Sequence, residues 1–397
     1  MPAEWSQLHK LCMEPCSCEE ESNTDKPYFK SERGTKKMRK LASVRQISSI
    51  RPIDGANRIA VAQVDGWECV VQKNEFQEGD YIVYIEVDSV VPERPEFEFM
   101  RDRKFRVKTI RLRGQVSQGL VLPMSILPKG DYRLGTDVTD ILGVEKYDPE
   151  AQSEAKLLQC QSKPPKNAFI RFMMRFKWYR RLFTKYKCRV SFPDWIHKTD
   201  ETRIQNLTAL FEAERDNGTE FSVTEKMDGQ SVTYYLRRTS RRKHEFGVCS
   251  RNIYLGTPDG SSYWMVARKY GIEGVLKKLI GDNDTIVMQG EICGSAIQGN
   301  KYHLSGYELF VFNLIYPDHK CTTAEIAKLC TPLGLKTVPI LEEKKTLPST
   351  TAELVEYSKG NSVVCKGQKR EGIVMRNVQS DISFKVINPD FLLEGKD

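Results

Sequence analysis

TEKMDG, residues 224–229, sets a lysine two positions before an aspartate and closes on a glycine. It ends the run FSVTEKM, which has the look of a strand feeding a turn. Lys226 is either a surface residue beside that turn or a nucleophile. Spacing alone does not separate the two, because Lys-x-Asp-Gly recurs by chance in many proteins. The charged residues farther along the chain decide.

CSRN brings Arg251 to the end of a strand, and QGEICG sets Glu291 between glycine-bearing flanks. EGIVMR carries Glu371 and Arg376, and SFKVIN carries Lys385. Each charge sits in or at the edge of an otherwise apolar strand, where an unpaired charge is costly. Convergence on one cleft accounts for all of them together. Arg376 is open to a second reading, a simple pair with a surface carboxylate, and Arg203 with Gln205 and Asn206 to the bracing of a helix.

The whole chain supports a globular, intracellular reading. Its 397 residues, 40% of them hydrophobic, suffice for two or three cores. No run of 18 apolar residues occurs, and MPAEWSQLHK lacks the layout of a secretory signal, so neither membrane spanning nor export is expected. Eleven cysteines, mostly in apolar strings such as WECVV and FGVCS, read as reduced and partly buried. His9, Cys12, Cys16 and Cys18 are spaced too tightly and irregularly for an ordinary zinc finger. The 61 Lys and Arg against 53 Asp and Glu give a formal charge of +8, which favours polyanionic partners without choosing among them.

Residues 1–36 show no periodicity and read as a disordered tail. Over residues 37–146, short β-branched runs such as RIAVAQVDGWECVVQ and GDYIVYIEV alternate with Gly, Asp and Pro, the pattern of a small OB-like Greek-key barrel. Within it FRVKTIRLRG cannot present Arg106, Lys108, Arg111 and Arg113 on one face of a regular strand, so a bulge or twisted end is expected. Those four, with Phe105, form either a solvated strand edge or a phosphate-contacting surface for nucleic acid. Residues 147–189 comprise a polar linker with a Pro pair and a basic aromatic helix candidate at 169–187, which packs between domains, faces nucleic acid or lies on a membrane surface. Residues 190–397 mix strand and helix patterns, predicting antiparallel sheets with attached helices. The fold class is α+β.

The ordered series Lys-x-Asp-Gly, Ser-Arg-Asn, Gly-Glu, Phe-Val-Phe, Glu-Gly-Ile-Val and Phe-Lys resembles the motifs of covalent nucleotidyltransferases, the superfamily of nucleic-acid ligases and messenger-RNA capping enzymes. The likeness spans residues 190–392. FPDWIHKTDETRIQNL, Glu225 before the lysine and a barrel ahead of the catalytic domain resemble one branch, the ATP-dependent RNA ligases of the Deinococcus and Naegleria type. In DNA ligases and capping enzymes the barrel follows the last motif, whereas only 12 residues follow Lys385 here.

The resemblance implies a role for each motif residue. Lys226 attacks the α-phosphate of ATP, and nearby cations, Lys385 and a metal, favour its neutral amine. Asp228, Glu291 and Glu371 engage hydrated Mg2+ (or Mn2+), partly through its waters. Arg251 contacts the nucleotide, and Lys385 meets the α-phosphate. Phe312 stacks on adenine, sharing a strand face with Phe310, while Glu225 reads the base edge and favours ATP over GTP. Ser383 stands where many relatives carry a second cation. The expected partner is RNA or a nicked RNA-containing duplex, the expected state a monomer. A DNA ligase, a GTP-using capping enzyme and a non-catalytic RNA-binding protein are the rivals.

Overall fold

The computed structural model describes residues 39–148, 173, 176, 189–240, 243–256 and 258–394. The tail at 1–36, most of the linker and nearly all of the basic aromatic segment at 169–187 lie outside the described residues.

In the first domain the strands are β1 (Ala42–Pro52), β2 (Ile59–Val64), β3 (Trp67–Gln72), β4 (Tyr81–Ile85), β5 (Ser89–Val90), β6 (Arg106–Val107), β7 (Ile110–Leu112), β8 (Gln115–Ser117) and β9 (Leu120–Pro123). A short helix α1 (Thr139–Leu142) and β10 (Glu145–Lys146) end it. The eleven-residue β1 carries the curl. Ala42–Gln46 pair with β4, and from Ile47 onward the strand pairs with β2, with an irregularity between Ile47 and Ser49. A break of that kind re-aims a strand and closes a sheet on itself. The result is an OB-like antiparallel sheet, order β3-β2-β1-β4-β9, beside a small sheet β10-β5-β6 and the β7–β8 hairpin.

FRVKTIRLRG does not form one bulged strand. It splits into β6 and β7, which belong to different sheets. Phe105 is buried in the barrel core with Phe97 and Met100, so it is a packing residue rather than part of a binding surface.

The second domain runs β11 (Arg189–Ser191), β12 (Thr202–Arg203), α2 (Thr208–Asp216), β13 (Phe221–Lys226), β14 (Gln230–Ser240), β15 (Lys243–Cys249) and β16 (Ile253–Leu255). It continues through α3 (Ser262–Lys269), α4 (Ile272–Leu279), β17 (Thr285–Gly294), β18 (Tyr307–Ile315), α5 (Thr323–Cys330), β19 (Lys336–Thr337) and β20 (Ile340–Lys345). It closes with α6 (Thr351–Ser358), β21 (Gly372–Asn377), β22 (Ile382–Ile387) and α7 (Pro389–Glu394). Two sheets result, β11-β16-β15-β14-β17-β18-β19 and β12-β22-β21-β13-β20. They are mixed rather than purely antiparallel, because β12 joins β22 and β19 joins β18 in parallel. The apolar stretch SSYWMVARKYGIEGVLKKLI makes two helices, because Gly271 adopts a left-handed conformation (φ 57°) between α3 and α4. Among the described residues no helix is long and apolar enough to cross a membrane, and the described cysteines are free, all but Cys365 buried.

Each sheet buries one face. Phe221, Val223, Ile373, Met375, Phe384 and Val386 alternate along β13, β21 and β22 into one core. By the two-residue period of a strand, Thr224, Lys226, Val374, Arg376, Ser383 and Lys385 share the opposite face.

The domains meet through buried polar ties. The Trp67 indole N–H donates to Asn206 Oδ1 at 2.8 Å, and the buried Arg203 reaches Asp88 Oδ2 at 2.7 Å while lying over the Trp67 ring. Arg203 and Asn206 therefore join the domains rather than brace a helix. Gly66 permits the approach: a Cβ there would lie 2.9 Å from Gln205 Cα. Gly66→Ala is expected to lower stability by about 1–3 kcal/mol through overpacking. Gly274→Ala, in open space within α4, should be neutral or stabilising by roughly 0.5–1 kcal/mol. Urea unfolding of the two variants checks the contrast.

Candidate active site

Lys226 is the last residue of β13, and its antiparallel partner on β21 is Gly372. That register sets the side chain beside Glu371, whose Oε2 lies 2.7 Å from Lys226 Nζ. Gly372 has φ 155°, and a Cβ on it would drive into the carbonyl oxygen of Val386. Gly229, after the Asp-Gly turn, is equally constrained, since a Cβ would run into Ile292 O and the Glu291 side chain. The glycines of both motifs thus allow the strand ends to close on one another.

Glu291 enters from β17, paired with Ser231 of β14 and Phe310 of β18. Next to it the ladder slips: Gln289 pairs with Asn313 but Gly290 with Val311, leaving Phe312 as the extra residue of a bulge. The Phe312 carbonyl accepts from Arg376 Nη1 at 3.3 Å, and the Arg376 guanidinium lies 5.4 Å from the Phe312 ring centre. Phe310 and Phe312 do share a side, against Met227 and Tyr302, with Val311 in the other core. Phe310 is buried, whereas Phe312 borders the cleft.

Arg251 follows Ser250, whose buried hydroxyl accepts the N–H groups of Asn252 and Ile253 and tightens the β15–β16 turn. Arg251, Lys385 and Lys146 all converge on Asp200, at 3.3, 3.4 and 3.0 Å. Lys146 comes from the first domain. Burial alone would raise the Asp200 carboxyl, but Lys385, Lys146 and Arg251 hold it well below the usual range. Its neighbour Glu201 pairs with the buried Arg376 at 3.1 Å and is lowered in the same way, burial being outweighed by Arg376. Arg376 therefore serves the cleft wall rather than a surface pair. Ser383 Oγ lies 3.5 Å from Glu201, so Ser383 faces a carboxylate.

One cleft is thus lined by Glu225, Lys226, Arg251, Glu291, Phe312 and Lys385. Asp200, Glu201, Thr199 and Arg376 line it as well. Asp200 and Glu201 lie in the stretch FPDWIHKTDETRIQNL, but nothing in that stretch marks them as a hub for three cations and an arginine. Glu225 carries the strand parity of Phe221 and Val223, and its Oε2 accepts the Val363 N–H at 2.8 Å. Burial raises its carboxyl, and Oε1 has no partner among the described residues.

The charges nearest Lys226 are carboxylates, and they favour its ammonium. Burial would lower its ammonium, but Glu371, Glu291 and Asp228 outweigh burial and raise it. Glu371 is itself pushed up by burial, against the pull of Lys226. Lys385 is the lysine nearer neutrality, lowered to about 8 by burial, with Lys226 and Arg203 adding to the effect against Asp200. Lys226 and Lys301 occupy carboxylate oxygens of Glu371 and Asp228 at 2.7 and 2.8 Å. Among the described residues no three His, Cys, Asp or Glu side chains gather as direct ligands. The oxygen-only donor set nonetheless suits a hard cation that keeps much of its water.

The four basic residues of 105–114 are not brought into one stripe. Arg106 lies 3.6 Å from Asp88 and packs over the Tyr147 ring. Arg111 crosses to Asp390 of α7 at 2.9 Å. Lys108 is half-buried and Arg113 is exposed in the β7–β8 turn.

Comparison with known proteins matches residues 41–124 to an OB-fold domain and residues 219–387 to the RNA ligase family. No curated protein matches the chain significantly. Solved structures of Naegleria gruberi RNA ligase do. A variant with ATP and Mn is 33% identical, with 90% of this chain and 100% of that one covered and a TM-score of 0.73. A second variant, with AMP and Mn, is 33% identical over 89% and 98% of the chains, TM-score 0.72. A form with PPi gives the same identity, coverage and TM-score as the second.

The lowered Lys385 makes a testable pH dependence. An anion prefers the protonated lysine, so a contribution of Lys385 to ATP binding would be present below about pH 8 and lost as pH rises through that value. Calorimetric titration of ATP without divalent cation should show affinity falling by up to about tenfold per pH unit above that point, and Lys385→Arg should flatten the decline.

Proposed function

The chain belongs to the family of ATP-dependent RNA ligases, and on that premise we propose that it joins 3′-hydroxyl and 5′-phosphate ends through a lysine–AMP intermediate, at nicks with RNA on the 3′-hydroxyl side. The observation that carries this reading is the meeting of Lys226, Glu291, Arg251 and Lys385 from four separate strands and turns in one cleft, with Glu371 paired to Lys226.

The reaction divides into three transfers. The Lys226 amine attacks the α-phosphate of ATP, forming an N–P bond while the bond to the pyrophosphate oxygen breaks. The 5′-phosphate of the nucleic acid then attacks the lysine-bound AMP and regenerates the amine. Finally the 3′-hydroxyl attacks the activated 5′-phosphate and AMP leaves. Each step moves charge among phosphate oxygens, so positioned cations should supply most of the acceleration.

Lys226 must give up a proton before the first transfer, and Glu371 at 2.7 Å is the group in contact with it. Asp228, Glu291 and Glu371 would hold Mg2+ or Mn2+, whose charge would offset these carboxylates and stabilise the α-phosphate. Lys385 and Arg251 face the phosphates, exchanging Asp200 for the incoming anion. Phe312, set on its bulge, offers a ring face to the base. The unpartnered Glu225 Oε1 offers an acceptor, which suits the exocyclic amine of adenine and not the carbonyl of guanine.

A duplex nicked between an RNA 3′-hydroxyl and a labelled 5′-phosphate tests the reading. ATP and Mg2+ should give joined strand, and GTP should not. Lys226→Ala should abolish that joining yet still seal a nick whose 5′ end is already adenylated. Glu291→Ala should slow joining about 100-fold or more, the size of losing one charge-stabilising group, with its melting temperature little changed. Joining by Lys226→Ala from ATP would remove the lysine from the mechanism.

A further inference from the structure

Asp228 is gripped by two consecutive residues outside the motif series. Lys301 Nζ lies 2.8 Å from Asp228 Oδ2, and the hydroxyl of the buried Tyr302 accepts the Asp228 backbone N–H at 2.8 Å. Both residues ride on the segment joining β17 to β18. That segment holds four non-glycine residues in the left-handed region, Ala296, Gln298, Asn300 and His303, with φ of 63°, 46°, 50° and 50°. Such conformations cost free energy and persist where surrounding contacts impose them. Asn300 imposes one here, its side chain bonding both the N–H and the carbonyl of Leu304 at 3.0 Å. On its far side the Lys301 ammonium lies 4.0 Å from the ring centre of Phe391 in α7. Its position is therefore set by the Asp228 carboxylate and the Phe391 ring.

The charge balance gives the grip a consequence. Glu371 is matched by Lys226, and Asp228 by Lys301. A divalent cation that takes up Asp228, directly or through its waters, competes with an ammonium already seated on Oδ2 of that carboxylate. Tyr302 holds the aspartate's backbone without adding charge, so the carboxylate stays in place when its partner changes.

We propose that Lys301 is the resident counter-ion of Asp228, a positioning residue that competes with the divalent cation for that carboxylate and so sets the metal affinity of the ligand-free enzyme. The inference rests on the reading of Asp228 as part of the metal site. Removing a competitor strengthens binding, so the loss of Lys301 should tighten the metal, an effect that loosened structure alone does not produce.

The test is Mn2+ binding to the full chain without nucleotide, read as loss of the free-ion electron paramagnetic resonance signal. Lys301→Met and Lys301→Gln should each bind Mn2+ about fivefold more tightly than the wild type, the scale of a partly buried ion pair. Two variants guard against a folding failure in either. Lys301→Arg should stay within about twofold of the wild type, because it keeps the charge. Lys277→Met, at a surface pair with Glu273, should leave affinity unchanged and so separate local competition from net charge. Asp228→Asn should abolish the gain in the double variant. Unchanged or weaker Mn2+ binding in both neutral variants, with a wild type that forms lysine–AMP, overturns the competition alone. A wild type that forms no such adduct overturns the reading of the site and this inference together.

Discussion

The ion pair between Lys226 and Glu371 is the contact on which the rest of the cleft depends. It exists because β13 and β21 are paired in a register that leaves Lys226 opposite Gly372. A shift of one residue would turn Lys226 into the core and expose Val223 or Ile373 instead. Glycines at 229 and 372 are what let the two strand ends approach, since a Cβ at either would strike a carbonyl oxygen of the neighbouring strand. The motif glycines are thus steric conditions for the charge pair, and the charge pair in turn keeps the buried ammonium and carboxylate from being left uncompensated.

The same pairing of charges explains the remainder of the cleft wall. Asp200 gathers Lys146, Arg251 and Lys385, and Glu201 takes Arg376. On the proposed reading Arg251 and Lys385 are cations that would meet phosphate, held meanwhile by a carboxylate that an anion could replace. Lys146 brings the first domain into this set. With Arg203 on Asp88, Trp67 on Asn206 and Arg111 on Asp390, the OB fold is tied to the catalytic domain by charge and hydrogen bonds at four places. Part of the basic character of residues 105–114 goes to that docking.

Much of this is legible in the sequence because strands have a two-residue period and the site residues sit at fixed parities. The alternation in FSVTEKM, EGIVMR and ISFKVI separates core from cleft, and the structure follows it except at Glu225, which has the core parity yet lines the cleft. What is not legible depends on partners far along the chain. Nothing local in TDETRIQ says that Asp200 collects three cations or that Arg203 reaches another domain. Phe105 misleads because an aromatic beside arginines has the same composition whether it stacks on a base or fills a barrel. The protonation balance between Lys226 and Lys385 is not legible for the same reason: carboxylates distant in sequence surround the first, while burial and two cations act on the second. The bulge at Phe312 is hidden too, since a slipped ladder leaves no mark on a single strand.

Lys226 thus lies among carboxylates that favour its ammonium, and on the proposed reading it becomes a nucleophile once those carboxylates are occupied by something else. The direct measurement is peptide-resolved mass spectrometry of the chain after exposure to ATP, with and without Mg2+. The account predicts AMP on the peptide containing Lys226, on no other lysine, and only when the divalent cation is present. An adduct on a different lysine, or one that forms as readily without the cation, would contradict it.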